Sequence, residues 1–303
     1  DERNQLIKES FYESQKHFKI LSIEEARNRK PQLTYSPVKP DKSGVHIINK
    51  QSIKDLLDYI DWTPFFHAWE LRGRYPNIIQ DGTNIEAKKV FNDGKRMLSE
   101  IMEKNSLTVN AVYGFFKAKS FNEQVELVDE NMKFSFPRQL VDKGSSPNFC
   151  LADFISPDGD DNIGCFAVTS GKGLKKIVNK YEDDLDDYNS IMVKVIADRL
   201  VEAATEWLHE KIRKKDWGYS KNENFNNSEL IKEKYIGIRP APGYPSCPDH
   251  AEKDKIWKLL DVKKNVGISL TESRAMDPVS SVCGWYFSHP DSRYFSALKN
   301  NVK

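Results

Sequence analysis

The sequence predicts an α+β protein in which helices surround a mostly antiparallel, twisted sheet. Short aromatic and β-branched segments bounded by Gly, Asn, Asp and Pro are typical of strands. Other stretches repeat their apolar residues every three or four positions, as amphipathic helices do. The chain has 303 residues, of which 39% are hydrophobic and 11% aromatic. This is enough to build the core of one large domain or two ordinary ones.

Composition excludes several classes of function. The 46 Lys and Arg residues nearly balance the 45 Asp and Glu residues, which leaves a net charge of +1. Such a chain lacks the overall positive field that favours nucleic acid. It also lacks a run of about 18 apolar residues, the length needed to span a membrane, and it does not open with a signal peptide. We therefore expect a cytoplasmic protein with neither nucleic-acid nor membrane partners.

Cysteine spacing favours reduced thiols over disulfides or metal. The chain contains Cys150, Cys165, Cys247 and Cys283. They form neither a Cys-x-x-Cys pair nor a dense disulfide framework. An alternative function is a zinc-dependent hydrolase or zinc-stabilised interaction module using Cys247, His250, Cys283 and His289. The spacing of Cys283 and His289 is unusual for zinc ligands, and Pro248 constrains the pair Cys247 and His250. We therefore expect no metal site.

The N-terminal region has the features of a linker arm. Residues 1–28 are rich in charged groups, and their scattered apolar side chains indicate a weakly buried helix. Prolines at positions 31, 37 and 40 then favour an extended strap over residues 35–43. We predict a helical linker arm at residues 1–43 and the main domain at residues 44–303.

Asp61 lies at a predicted corner between two helices. Residues 52–60 have helical spacing of apolar groups, and a second helix restarts with Thr63 as its cap and Pro64 in its first turn. The Asp61 carboxylate is therefore held beside aromatic side chains. It could cap a helix or contact a ligand.

Strand-like patterns follow a helix predicted over residues 87–102. They occur at residues 109–116, 125–128, 149–155 and 163–168. The turn residues at 157–162 are expected to join the last two strands as a hairpin.

The longest predicted helix covers residues 189–215 and follows an acidic run that complements the positive end of the helix dipole. Glu202 falls on a flank with apolar residues, away from the basic residues 211–215. By pattern alone, a glutamate there is typical of the surface.

A proline-rich loop at residues 239–250, RPAPGYPSCPDH, gives the clearest signal for function. Its four prolines exclude helix and ordinary strand, and Gly243 is its one free joint. A rigid backbone loses little entropy when a ligand binds, and Arg239 could offer a forked cation to a carboxylate. A structural crossover loop is the alternative. A helix beginning at Pro248 and strands at residues 266–270 and 279–287 are predicted beyond it.

This loop resembles the AdoMet-binding loop of the activation (reactivation) domain of cobalamin-dependent methionine synthase, whose signature is Arg-x-x-x-Gly-Tyr. Arg239, Gly243 and Tyr244 match the signature. Further wordlike matches are DWTPFF at 61–66, CLADF at 150–154, DYN at 187–189 with IMVK at 191–194, and GWYFSHPDS at 284–292. The resemblance thus runs through most of the chain and implies the same fold.

The resemblance also implies a function. The family binds S-adenosylmethionine (AdoMet) and positions its methyl group for reductive methylation of cob(II)alamin, with an electron from flavodoxin or a similar donor. It implies cofactor-binding roles for Asp61, Glu202, Arg239, Ala241, Gly243, Tyr244, Tyr294 and Phe295. Asp61 would face the amino group of AdoMet and Glu202 its sulfonium, whereas Phe295 can only stack.

The partners implied are a cobalamin-binding module, reached by the arm, and an acidic electron donor, for which the basic run at 211–215 is the expected docking patch. Cobalamin would be held by that other module. The chain has no catalytic residue of its own under this hypothesis, and we expect that it cannot turn over alone. A plain interaction domain is a third possibility.

Overall fold

One antiparallel sheet organises the part of the chain that the structure describes, residues 19–80, 82 and 84–297 of a computed structural model. Its strands are β1 (Gly44–Gln51), β2 (Thr108–Phe121), β3 (Gln124–Leu127), β4 (Met132–Ser135), β5 (Asp161–Lys172) and β8 (Ser281–Tyr286). The order is β4-β3-β2-β5-β8, and β1 pairs with the N-terminal half of β2. The short strands β6 (Ser269–Leu270) and β7 (Met276–Asp277) form a separate pair.

Helices lie around this sheet. They are α1 (Ile23–Asn28), α2 (Thr63–Ala68), α3 (Asn77–Gln80), α4 (Ile85–Lys104), α5 (Leu174–Asp183), α6 (Asp187–Lys211), α7 (Asn227–Ile231), α8 (Glu252–Leu260) and α9 (Val262–Val266). Two 3₁₀ segments (Ile53–Tyr59, Leu151–Phe154) and one π-turn (Ile212–Asp216) complete the set in the described residues. None of the helices described is long and apolar enough to cross a membrane.

Each face of the sheet carries its own core because successive side chains of a strand point to opposite faces. On β2, Tyr113 and Phe115 belong to the core formed with α2, α4 and α6. Val112 belongs instead to the core formed with α8 and α9. The sheet is thus covered on both faces, and the α+β class with a mostly antiparallel sheet surrounded by helices is confirmed.

The predicted strand at residues 149–155 is wrong, because Leu151–Phe154 forms a 3₁₀ turn. Asp153 closes the turn by accepting a hydrogen bond from the Cys150 backbone, and the same carboxylate pairs with the buried guanidinium of Arg138 at 2.7 Å. The apolar side chains reach the core from this turn without strand pairing. Residues 157–162 consequently link a 3₁₀ turn to β5 and do not form a hairpin.

Other differences concern element type and capping. Residues 53–59 are 3₁₀ rather than α-helix, and the strand predicted at 266–270 is shortened to β6 (Ser269–Leu270), because α9 extends to Val266. The Asp61 carboxylate accepts a hydrogen bond from the Thr63 backbone N–H at 2.9 Å, while the Thr63 hydroxyl accepts from the Tyr75 backbone N–H. The strands β1 and β4 and the helix α5 are missing from the sequence prediction.

The described part of the predicted arm packs against the main domain. Leu21 is buried and its backbone N–H donates to the Leu140 carbonyl at 2.8 Å. The strap is held where the Trp217 indole donates to the Val38 carbonyl at 2.7 Å. Residues 1–18 of the predicted arm helix lie outside the described residues, and the boundary at residue 43 stays a prediction.

The start of the proline-rich loop runs beside β8 as an extension of the sheet. Ile238 pairs with Phe287, and the Trp285 backbone N–H donates to the Pro240 carbonyl at 2.9 Å. Gly284 permits this approach, because a Cβ there would lie 2.4 Å from the Pro240 oxygen. The loop is therefore fixed by the sheet as well as by its prolines.

We predict that Gly284→Ala lowers the free energy of unfolding by about 3 kcal/mol, as overpacking of a tight site does. Gly144→Ala is the control, since its Cβ would meet open space and its positive φ of 63° costs only about 1 kcal/mol. Denaturant titration measures both. Equal losses would contradict the steric role of Gly284.

Candidate functional site

Two adjoining cavities lie between helix α6 and the proline-rich loop. Their volumes are about 530 and 360 Å³, within the usual range of ligand sites, and both are lined by Glu202, Glu233 and Arg239. The larger one is also lined by Phe166, Thr205, Pro240, Ala241, Tyr244, Pro245, Ser246, Val282, Tyr294, Phe295 and Ser296. The smaller one adds Tyr59, Asp61, Pro64, Arg199, Glu206, Asn227, Leu230 and Ile231.

The loop is closed by its own backbone. The Gly243 N–H donates to the Cys247 carbonyl at 2.8 Å, and the Cys247 N–H donates to Tyr244 at 2.9 Å. Gly243 adopts a φ of 94°, and a Cβ there would lie 2.2 Å from the His250 ring. Gly243 therefore allows the loop to turn but does not line a cavity. Tyr244 is 64% exposed at the cavity rim.

Arg239 directs most of its guanidinium toward the protein. Its Nη2 pairs with Glu206 at 2.8 Å, and its Nη1 donates to the Tyr235 hydroxyl at 2.5 Å and to the His209 Nδ1 at 3.2 Å. Burial alone would lower the pKa of Arg239, but the Glu206 carboxylate raises it. The forked cation expected for a ligand is thus already engaged, although Arg239 still lines both cavities.

Glu206 is shared between two arginines. Its Oε2 pairs with Arg239, and its Oε1 lies 3.7 Å from Nη1 of the fully buried Arg213. Arg213 belongs to the π-turn after α6, pairs with Glu223 at 2.9 Å and stacks on the Tyr235 ring at 3.8 Å. The π-turn therefore places the Arg213 guanidinium in the protein interior, beside the Glu206 carboxylate.

Acidic groups dominate the smaller cavity. Its lining contains four carboxylates, Asp61, Glu202, Glu206 and Glu233, against Arg199 and Arg239. Asp61 uses one carboxylate oxygen to cap α2, and Glu202 is exposed to the cavity from α6. Partial shielding from water raises the pKa of Glu233, and Arg239 opposes this shift. The arrangement suits a ligand with positive charge.

The segment at residues 294–297 closes the far side of the larger cavity. The Tyr294 hydroxyl accepts from the Arg239 backbone N–H at 3.1 Å. Phe295 is tied to the loop by the Ser246 hydroxyl, which donates to its carbonyl at 2.6 Å, and its ring stacks on Phe149 with centroids 5.9 Å apart.

The structure thus brings seven of the eight predicted site residues to the two cavities. The eighth, Gly243, lines neither cavity. The sequence analysis missed Glu206, His209, Glu233 and Tyr235. A helical signal was available for two of them, because Glu206 and His209 follow Glu202 by one and two turns. No sequence pattern pointed to Tyr235 or Glu233.

The basic run at residues 211–215 does not form the expected docking patch. Lys211 pairs with Asp216, Arg213 is buried, and Lys214 pairs with Glu210 at 3.1 Å. Within the run only Lys215 is exposed. Internal ion pairing therefore neutralises most of the charge that the sequence offered to a partner.

The zinc hypothesis finds no support. Burial raises the pKa of Cys247 and Cys283 to about 12, which disfavours the thiolates that zinc requires. The His289 ring contacts Tyr35 at a tilted angle with centroids 4.0 Å apart, and its Nδ1 accepts from the Asp291 backbone N–H. Within residues 19–80, 82 and 84–297 no group of three or more His, Cys, Asp or Glu could hold a metal ion.

Comparison with known proteins identifies similar sequences and folds. The family model described as vitamin B12 dependent methionine synthase, activation domain, matches residues 52–301. A crystal structure described as the MetH reactivation domain bound to AdoHcy is similar over 92% of this chain and 89% of that chain, with 44% sequence identity and a TM-score of 0.89.

We predict that Glu206→Gln lowers the free energy of unfolding by about 3 kcal/mol, because it removes the countercharge of the largely buried Arg239 and one of the two countercharges of the fully buried Arg213. The matched control is Glu182→Gln, whose half-exposed pair with Lys194 contributes about 0.5 kcal/mol or less. Urea titration compares the two. Similar losses would show that Glu206 does not hold the arginines.

A second prediction concerns pH. Burial, followed by Arg213 and Arg239, lowers the pKa of His209 well below its ordinary 6.5. The unfolded chain therefore takes up this proton first, and the stability contribution present above pH 6.5 is lost as pH falls below it, by about 1.4 kcal/mol per pH unit.

The measurement is the unfolding free energy of the unmodified chain and of His209→Asn between pH 7 and 5.5. The difference between the two proteins should shrink steadily below pH 6.5, since the other titrating groups are common to both. A constant difference would contradict a neutral His209 in the folded protein.

Proposed function

Because the chain belongs to the family of vitamin B12-dependent methionine synthase activation domains, we propose that its paired cavities bind AdoMet for reactivation of the cobalamin cofactor. The observation that carries the proposal is the acidic cavity beside the proline-fixed loop. AdoMet carries an ammonium, a carboxylate and a sulfonium, so its net charge is positive. The similar reactivation domain described as bound to AdoHcy supports a ligand of this class.

The residues present fit AdoMet. The larger cavity offers an apolar and aromatic lining for a nucleoside, including Phe166, Pro240 and Val282. The smaller cavity offers carboxylates for the cationic half. Glu206 Oε1 is buried and has no hydrogen-bond partner in the described residues, although Arg213 lies 3.7 Å away. A buried carboxylate oxygen in this state suits a ligand N–H donor.

We assign roles to this chain's residues on that basis. Asp61 and Glu202 stabilise the ammonium and sulfonium charges, and Ala241 and Tyr244 present the rigid loop to the ligand. Tyr294 and Phe295 close the far side. Arg239 and Gly243 fix the shape of the loop, Arg239 through its contacts to Glu206 and Tyr235 and Gly243 through its turn.

When bound, AdoMet supplies the methyl group that passes to the cobalt of a reduced cobalamin. The chain's own contribution is positioning, and no general base is needed. It holds the sulfonium methyl in line with the cobalt and keeps water out of the site. The family implies that the cobalamin lies in another module of methionine synthase. We propose that this module contacts the cavity mouth near the exposed ring of Tyr244.

Flavodoxin or an equivalent reductant is the proposed electron source. The run at residues 211–215 offers such a donor little free charge, because its charges are mostly paired internally. A cytoplasmic location also stays a prediction from the sequence.

We predict that Glu202→Gln weakens AdoMet about fivefold and AdoHcy less than twofold, because the two ligands differ by the sulfonium charge. Calorimetric titration of both ligands measures this. Glu182→Gln, which lies outside both cavities, should change neither. An equal loss for both ligands would contradict recognition of the sulfonium by Glu202.

The proposed reaction is tested by mixing the chain with a separately prepared cob(II)alamin-loaded module, AdoMet and reduced flavodoxin. Methylcobalamin, followed by its absorbance, should form only when the chain is present. The chain alone with AdoMet should give no turnover. Equal methylcobalamin formation without the chain would overturn the assignment.

A further inference from the structure

His209 lies one layer below the cavities, on the side of α6 that faces the loop. It is fully buried, and its ring stacks on Tyr286 of β8 with centroids 5.1 Å apart. Its Nδ1 lies 3.2 Å from Arg239 Nη1, and its Nε2 lies 3.3 Å from the Tyr219 hydroxyl. The imidazole therefore bridges two elements through its two nitrogens.

The partner of Nδ1 determines the protonation state of the ring. A guanidinium can only donate, so Nδ1 must accept, and the single proton of a neutral imidazole must reside on Nε2. That proton is then available to the Tyr219 hydroxyl. A doubly protonated ring would instead direct an N–H at Arg239.

The groups that face His209 reinforce this state. Arg239 lies on the loop side, and Arg213 from the π-turn lowers its pKa together with Arg239. The aromatic neighbours are Tyr219, Tyr235 and Tyr286. Glu206, one turn earlier on α6, pairs with Arg239 through Oε2 at 2.8 Å, and its Oε1 lies 3.7 Å from Arg213.

We propose that His209 is a positioning residue for the ligand site: as a neutral Nε2–H tautomer it holds the Arg239 guanidinium in place, and AdoMet affinity depends on it through Arg239. The proposal rests on the proposed AdoMet function. His209 itself lines neither cavity. Its role is to complete the set of Glu206, Tyr235 and His209 that defines one rotamer of Arg239.

The first test reads the tautomer without any ligand. The full chain is labelled with ¹⁵N-histidine, and the His209 signals are those lost in His209→Asn. Long-range ¹H–¹⁵N spectra should show an unprotonated Nδ1 and a protonated Nε2 from pH 8 to pH 5.5. A protonated Nδ1 at neutral pH would overturn the proposal.

The second test is a double-mutant cycle on AdoMet affinity. His209→Leu removes the acceptor and should weaken AdoMet about tenfold, whereas His209→Asn keeps an acceptor near the position of Nδ1 and should weaken it less than threefold. The Arg239→Lys background keeps the positive charge opposite Glu206 but lacks the guanidinium nitrogen that donates to His209. In that background His209→Leu should have no further effect on AdoMet affinity.

The outcomes separate the two proposals. Equal losses from His209→Leu in both backgrounds, or a loss for His209→Asn as large as for His209→Leu, would reduce His209 to a general packing role and overturn this inference alone. If the unmodified chain bound no AdoMet, the proposed function would fail, and the dependence of AdoMet affinity on His209 would fail with it.

Discussion

The carboxylate of Glu206, shared between Arg239 and Arg213, is the interaction on which the site depends. It joins helix α6 and the π-turn that follows it to the proline-rich loop, which lies more than 20 residues further along the chain. Each arginine is substantially removed from water, and a buried cation without its countercharge is costly. The position of the loop relative to the helix is therefore fixed by charge balance as much as by packing.

This pairing also determines the electrostatics of the cavities. Arg239 lines both of them, yet its charge is compensated from behind by Glu206, so it contributes little free positive charge to a ligand. Asp61, Glu202 and Glu233 then leave the space acidic. A loop that begins with arginine thus borders an acidic cavity.

The sequence predicted the features that depend on local pattern. Proline content correctly predicted an irregular loop, aromatic and β-branched segments identified β2 and β5, and helical spacing of apolar residues identified α6. It failed where a long-range contact decided the outcome: residues 149–155 are strand-like in composition, but Asp153 and Arg138 fold them into a turn. In the same way, Lys211 and Lys214 look like a surface patch until their partners Asp216 and Glu210 are known. The proposed ligand residues came from resemblance to a family, whereas the contacts of Glu206, His209 and Tyr235 with Arg239 are known only from the structure.

The π-turn at Ile212–Asp216 has a consequence for how this chain can vary in length. A π-turn is a helix that accommodates one additional residue within a turn. Deleting Ile212, the first residue of this π-turn, would restore regular α-helical winding. It would also rotate the following side chains by roughly 100° about the helix axis and carry Arg213 out of its place between Glu206 and Glu223. At the end of α6 the number of residues is therefore under as strong a constraint as their identity, and indels should be tolerated in exposed loops before they are tolerated here.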